Sequence, residues 1–455
     1  MADKYNEDVY IDDTSKNKKS KIDLGKDSIL KIFFSYAIPS IIGMIAMTSA
    51  GIIDGIFVGQ LVGANALAAI NLAMPVMSVF AGIGVMIAMG GATLANIRRG
   101  EKNARESNNL FTVTIVLVIV LAAIATFFST LFSDSFASLL GAQTDTHRLV
   151  STYIRYLSIF FIPFLGVFVL DMFLRNDGFP VFPIACTISG SIINIVLDYV
   201  LIAKFNMGIS GAALATGISQ LVPFMIMSIF LLRKSSWKIV KPHFDIKAIG
   251  AMLFNGSSEL LSNISAGVSG FVFNLIIIKN IGTMGVAAYS VANYAATIAI
   301  AVFFEIASAI NPGISFNRGS GDIKRVLSFR RVGIMFSMAC GIVLSLVLII
   351  SGKGIVYMFV GNNAEVTELA IHIIKFYAIA MLLMGVNVVS SMYYTAINQP
   401  LISAVIAASR SLIFLIIGVV FLPMIIGQNG IWGSIVFAEV ITLIVTIYFF
   451  KKKPY

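Results

Sequence analysis

The stretch LFTVTIVLVIVLAAIATFFSTLF (Leu110–Phe132) carries no charged side chain. It exceeds the roughly 20 apolar residues that an α-helix needs to cross the hydrocarbon core of a bilayer. Eleven further apolar stretches of sufficient length begin near Lys31, Ala66, Tyr153, Val181, Gly208, Ile249, Val286, Val332, Leu369, Leu401 and Gly430. Twelve transmembrane helices are therefore predicted, and no segment remains to build a sizeable soluble domain. Composition agrees: 58% of the 455 residues are hydrophobic and 12% charged, against roughly 25% charged in soluble domains. The fold class expected is an all-α integral membrane protein.

The net charge of +10 suggests nucleic acid only until the basic residues are placed. With the tail inside, twelve spans put most Lys and Arg on one side. They are Lys4, Lys16, Lys18, Lys19, Lys21, Lys26 and Lys31 in or near the tail; Arg98, Arg99, Lys102 and Arg105 after helix 2; Arg175; Arg233, Lys234, Lys238, Lys241 and Lys247 after helix 6; Arg318, Lys324, Arg325, Arg330 and Arg331 after helix 8; and Lys451 to Lys453. Both termini are expected in the cytoplasm, and no nucleic-acid partner is expected. The tail, residues 1–28, has no apolar core of a signal peptide. It reads as a disordered cytoplasmic segment, with contact to anionic lipid as the alternative.

Shifted by about 220 residues, the sequence meets itself. VGANALAA (Val62–Ala69) falls on IGTMGVAA (Ile281–Ala288), Arg99-Gly100 on Arg318-Gly319, and Tyr153-Ile-Arg-Tyr on Ile373-Ile-Lys-Phe. Leu140-Gly141 falls on Val360-Gly361, Pro180 on Pro400, and Gly208-Ile-Ser-Gly on Gly430-Ile-Trp-Gly. Six helices per half is an even number, so both halves share one orientation. They form two six-helix lobes related by a pseudo-twofold axis along the membrane normal, a design of secondary transporters that places substrate near the midplane between lobes. The expected divisions are an N-lobe over 29–233, a cytoplasmic inter-lobe loop over 234–247 and a C-lobe over 248–455.

Acidic side chains inside a membrane cost about 2.5–3.5 kcal/mol each on insertion scales, so each is a functional candidate. Six stand out: Asp54, Asp171, Asp198, Glu259, Glu305 and Glu439. Asn194 and Asp198, four apart, share a helix face and offer oxygens to a small hard cation or a proton, and Thr216 on the next helix can add a hydroxyl. Interhelical hydrogen bonding is the competing reading for Asn194 and Thr216 taken singly. Arg175 lies four residues after Asp171 and can neutralise it. Glu259 and Glu305 open a second acidic region able to hold a cationic substrate, or either can pair with Arg410, the one basic residue deep in a predicted helix. Cys186 and Cys340 lie within helices with no metal spacing, and His147, His243 and His372 form no cluster, so no metal centre follows. No glycine-rich phosphate loop is present; energy has to come from an ion gradient or from the substrate's own.

Several blocks resemble one family. FLRNDGFP (Phe173–Pro180), NIVLDYVLI (Asn194–Ile202), MGISGAALAT (Met207–Thr216) and IDGIFVGQLVGANALAA (Ile53–Ala69) are similar to bacterial multidrug and toxic compound extrusion (MATE) transporters of the DinF/MepA-like branch. INPGISFNRG (Ile310–Gly319) fits that family's helix 8 exit, and the likeness runs from about Ser28 to Phe450. The resemblance implies a V-shaped cavity between the lobes and export of organic cations or drugs in antiport with H⁺ or Na⁺ by alternating access. It places the protein in the bacterial cytoplasmic membrane, as a monomer in contact with lipid and with no cofactor beyond the coupling ion. By position it assigns the coupling site to Asp54, Asn194, Asp198 and Thr216, with Na⁺ at the first three as the alternative to a proton. Glu259 resembles the acid of helix 7 in members with a C-lobe cation site. Glu305 departs from the family pattern, and Asp171 joins these two as a candidate for the substrate cavity or a second cation site.

Two readings compete. A lipid or lipid-linked saccharide flippase needs Arg or Lys for an anionic headgroup, and Arg410 stands alone against six acids. An intramembrane enzyme needs a nucleophilic or paired-acid centre; Asp54 with Asp198 can imitate one, but that reading leaves the repeat unexplained. The major facilitator signature after helix 2 is missing from NIRRGEKNAR (Asn96–Arg105).

Overall fold

The computed structural model describes residues 21–360 and 364–455, so residues 1–20 of the tail expected to be disordered and the repeat position Gly361 lie outside it. Its regular secondary structure among the described residues is helical, with twelve spans when one bent pair is taken as a single crossing. They are α1 (Ile29–Val62), α2 (Asn65–Gly100), α3 (Ala104–Leu131), α4 (Thr146–Ser158 and Phe161–Asn176), α5 (Val181–Lys204), α6 (Gly208–Lys234), α7 (Ile246–Asn280), α8 (Thr283–Gly319), α9 (Ile323–Tyr357), α10 (Ala364–Ala396), α11 (Pro400–Ile426) and α12 (Gln428–Lys452).

Local chemistry sets the ends. Ser28 accepts a hydrogen bond from the Lys31 backbone N–H at the start of α1, Asn103 from that of Glu106 before α3, and Asp245 from that of Lys247 before α7. Each satisfies a helix N–H that would otherwise lack a partner. Pro400 takes the first position of α11, where its missing N–H costs nothing. Gly63, between α1 and α2, and Gly282, its repeat mate between α7 and α8, both have positive φ (114° and 92°), so one tight turn is used twice.

The spans differ from the sequence expectation in three ways. Several begin before their apolar stretch: α9 starts at Ile323 rather than near Val332, and Arg325, Arg330 and Arg331 ride on it. A helix does not stop where the hydrocarbon stops, because its backbone bonds remain satisfied in water. The fourth span is broken, with its two helices meeting at 54°. A short helix, Ser133–Leu139, sits between α3 and α4.

Two buried apolar clusters hold the bundle. One gathers side chains from Val58 through Trp237, with Met252. The other runs from Phe273 to Ile435 and also takes in Ile32, Phe33, Tyr36 and Ala37 at the start of α1. Large apolar side chains such as Ile52, Phe127, Phe271 and Ile350 are exposed all round the bundle, as expected where the solvent is lipid. The protein is a multi-pass membrane protein.

Both described chain ends lie at one end of the bundle. Asn317 donates to the Leu24 carbonyl (2.9 Å), Arg325 to the carbonyls of Leu24 and Asp27, and Arg330 to that of Pro454 (3.1 Å). The two halves meet tightly there. A Cβ on Gly90 would meet the Met252 carbonyl and one on Gly256 the Met86 carbonyl, while Gly100 and Gly319 face each other so closely that each would meet the other helix's backbone. Asn96 donates to the Pro312 carbonyl (2.9 Å) and to Ser315 Oγ (2.8 Å), and Asn311 to Thr93 Oγ1 (3.3 Å).

Candidate ion-coupling and substrate site

Asp54 lies four residues before the π-helical turn Val58–Val62 that ends α1, and Asp198 immediately before another, Tyr199–Lys204, that ends α5. Such turns widen a helix and are frequent at functional sites. They accompany a close approach of the two acids, whose carboxyl groups stand within hydrogen-bond reach of each other. Two carboxylates are both acceptors, so no bond joins them until one carries a proton or a cation stands between. The surroundings leave that role open: Asp54 Oδ1, both Asp198 oxygens and the Asn194 amide nitrogen are buried with no protein hydrogen-bond partner.

Thr216 on α6 and Tyr153 meet at the same place, with the Tyr153 hydroxyl near Thr216 and near both acids. Tyr153, 3% exposed, belongs to the outer helix of broken α4 and is the site residue that sequence reasoning missed. A signal existed. Its repeat mate is Ile373, just as Asp198 falls on Gly418 in the register of Pro180 and Pro400; polar groups present in one half alone mark where the halves have diverged.

The other candidates form two separate clusters. Asp171 and Glu305 converge on Arg175, whose Nε donates to Asp171 Oδ1 (2.9 Å), while its Nη1 donates to Ser40 Oγ (2.9 Å) and lies 3.8 Å from Glu305 Oε2. This links α1, α4 and α8 across the two halves, and Tyr36 adds a bond to the Arg175 carbonyl (2.6 Å). The ion-pair alternative for Asp171 is thus the observed arrangement, and Glu305 faces Arg175 rather than Arg410.

Glu259 stands apart from them. It lines a narrow cavity with Arg410, Asn387, Ser262 and Ser391. Arg410 lies in a third π-helical turn, Ser409–Ile413, over the Phe304 ring (5.6 Å), with Nη1 3.4 Å from Glu439 Oε1. Asn387 donates to Glu439 Oε2 (2.8 Å) and accepts from Thr446 (3.2 Å). Glu439 is therefore a buried partner of Arg410 and not a free cavity acid.

One acid outside the spans organises the end of the bundle. Asp177, 1% exposed, accepts from Lys21 Nζ (3.0 Å), Arg99 Nη2 (3.0 Å), Ser235 Oγ (2.8 Å) and the Ser236 backbone (2.8 Å), and from the Ser236 hydroxyl. Burial alone would raise its pKa, but Arg99, Lys21 and the Ser236 hydrogen bonds outweigh it and hold the carboxyl below its ordinary value. Among the described residues no group of three His, Cys, Asp or Glu side chains could hold a metal ion.

Twelve spans in two like-oriented halves, closed on each other at one end and enclosing unpartnered carboxyl groups, define a carrier-type membrane protein. The family described as MatE matches residues 39–200 and 260–420, one stretch in each half. The chain belongs to the MatE family, a family of transporters rather than enzymes. A similar protein is the multidrug export protein MepA of Staphylococcus saprophyticus, 26% identical over 90% of this chain and 89% of that protein. A crystal structure of MATE in complex with MaL6 superposes with a TM-score of 0.89 at 21% identity, covering 94% of this chain and 97% of that one. An outward-facing conformation of a multidrug resistance MATE family transporter of the MOP superfamily gives 0.87 at 21% identity over the same shares.

Proposed function

We propose that this protein exports small organic cations and drugs from a bacterial cell in exchange for H⁺ or Na⁺, by alternating access, with both termini in the cytoplasm. The observation that carries the reading is the facing Asp54–Asp198 pair, in which Asp198 is buried, Asp54 half-buried, and Asp54 Oδ1 and both Asp198 oxygens have no protein donor. Two carboxylates in a low-dielectric site gain from any single positive charge, and a proton, Na⁺ or a lipophilic cation can each supply it. If the coupling ion and the cation cannot both be accommodated, their competition is a coupling free energy and drives exchange.

The seam closed at the chain-terminal end supports a state open on the opposite side, from which exported cargo would leave. The export named for the staphylococcal relative is consistent with this. Cytoplasmic termini agree with the basic residues clustered at that end.

The test is ethidium efflux from proteoliposomes under separately imposed pH and Na⁺ gradients, wild type against Asp54→Asn. Export driven by one gradient and lost in the variant supports the reading and names the ion. Folded wild-type protein that moves ethidium under neither gradient would sink it and favour the lipid-flippase alternative.

A further inference from the structure

We propose that the groove between α3, α4 and α6 binds one anionic phospholipid, its acyl chain in the groove and its headgroup on the basic strap that crosses the groove's end. The strap is the segment after α6. Helix stops at Lys234, and the chain then runs without regular structure to Asp245 along the chain-terminal end of α3. It is fastened there: the backbone N–H groups of Lys238, Val240 and His243 donate to Asn108 (3.0 Å), Thr112 (3.1 Å) and Asn109 (2.8 Å), and Asn109 returns a bond to the His243 carbonyl (3.1 Å). Trp237 is buried beneath and donates to the Phe173 carbonyl (2.8 Å).

Fixed in this way, the strap contributes Ile239 to the wall of a groove lined by Ile119, Ile162, Phe224 and Leu232. Gly166 forms part of the wall because a Cβ there would run into the Phe224 ring. The distance along α6 from Phe224 to Leu232 is about 12 Å of helix, most of one leaflet's hydrocarbon thickness of roughly 15 Å. A water-borne polar ligand would find almost no partner on this wall, whereas an acyl chain matches it in chemistry and in length.

Charge selects the headgroup. Arg233 follows Leu232, Lys238 and Lys241 flank Ile239, and Lys234 extends over the Phe230 ring (5.7 Å). Asp245 is the one acid on the strap, and it is occupied in capping α7. On either side of it Phe244 and Ile246 are 51% and 85% exposed, an apolar edge suited to the bilayer interface. Basic groups at that depth favour anionic over zwitterionic lipid by about fivefold per charge. The proposal depends on the membrane crossing and not on which cargo is carried.

The experiment is native mass spectrometry of the full chain in detergent with added phosphatidylglycerol or phosphatidylcholine. The expected result is one phosphatidylglycerol retained in preference to phosphatidylcholine. Arg233→Gln/Lys241→Gln should lose the preference, and Ser228→Phe, which fills the groove, should lose both adducts. Melting curves matched to wild type confirm folding, and Lys241→Gln alone, at an exposed position, should still lower the preference about fivefold. Equal retention of the two lipids by wild type, undiminished phosphatidylglycerol retention in Ser228→Phe, or displacement of the lipid by ethidium would overturn the proposal.

Discussion

Asn96 and Ser315 occupy equivalent positions in the two halves of the chain, and they are hydrogen-bonded to each other at 2.8 Å. The pseudo-twofold axis therefore passes between them, and next to them the repeat mates Gly100 and Gly319 touch backbone to backbone. A contact between repeat mates can form only on the axis, so this seam is where the two lobes must part if the opposite end is to close.

Asn96→Ala removes both the Ser315 bond and the bond to the Pro312 carbonyl. The expected cost is about 1 kcal/mol, within the range measured for interhelical hydrogen bonds in membranes. The loss should fall on the closed state, so labels placed at the chain-terminal ends of α2 and α8 should show a larger open population by distance measurement.

Tyr153→Phe keeps the ring in its buried slot and deletes only the hydroxyl that stands beside Thr216, Asp54 and Asp198. Transport should survive, with the concentration of coupling ion needed for half-maximal rate raised about fivefold, equivalent to 1 kcal/mol. Efflux measured against pH and against Na⁺ would show it. An unchanged ion dependence would place Tyr153 outside the site.

Asp177→Asn removes the charge that Lys21 and Arg99 share. Because Lys21 and Arg99 are 39% and 27% exposed and can rehydrate, the cost should be about 2 kcal/mol, below the roughly 3–5 kcal/mol of a fully buried broken pair. The native carboxyl is held below its ordinary value, so it stabilises the fold above the unfolded-state pKa near 3.8 and loses that contribution as pH falls through the lower, folded value. Melting temperature should therefore drop in that acid window more in wild type than in Asp177→Asn.

Arg410→Gln leaves Glu439 buried and uncompensated and should destabilise by roughly 3–5 kcal/mol. Arg410→Gln/Glu439→Gln should recover most of this, since Glu439 no longer carries a charge that lacks its partner. A double-mutant cycle on unfolding in denaturing detergent reads the coupling directly.

Much of this molecule was legible in residue order. Length without charge fixed the number of crossings, the repeat fixed their grouping, and an Asn and an Asp four apart on α5 put two polar groups on one helix face. All of these are properties of a single helix or of the chain laid against itself. Beyond its contrast with the repeat mate Ile373, the role of Tyr153 was not legible, because it depends on how the first helix of α4 lies against α6 after a 54° bend. Nor was the choice of ionic partners. Asp171 had Arg175 within reach on its own helix, Glu259 and Glu305 had Arg410 as a candidate and Glu439 had none, because a helical period gives the face on which a charge lies but not what stands opposite.

The sequence by itself determined that this is a twelve-span membrane protein of two like-oriented halves with acids where lipid would forbid them, because hydrophobic length and repeat register are local facts that the bilayer reads directly. Only the tertiary structure decided that Glu305 answers Arg175 across the halves while Glu439 answers Arg410 within one, that Asp54 and Asp198 face each other without a donor, and that the strap lies along α3. Contacts between helices depend on their tilt, bend and rotation, and those are set by the packing of the whole bundle.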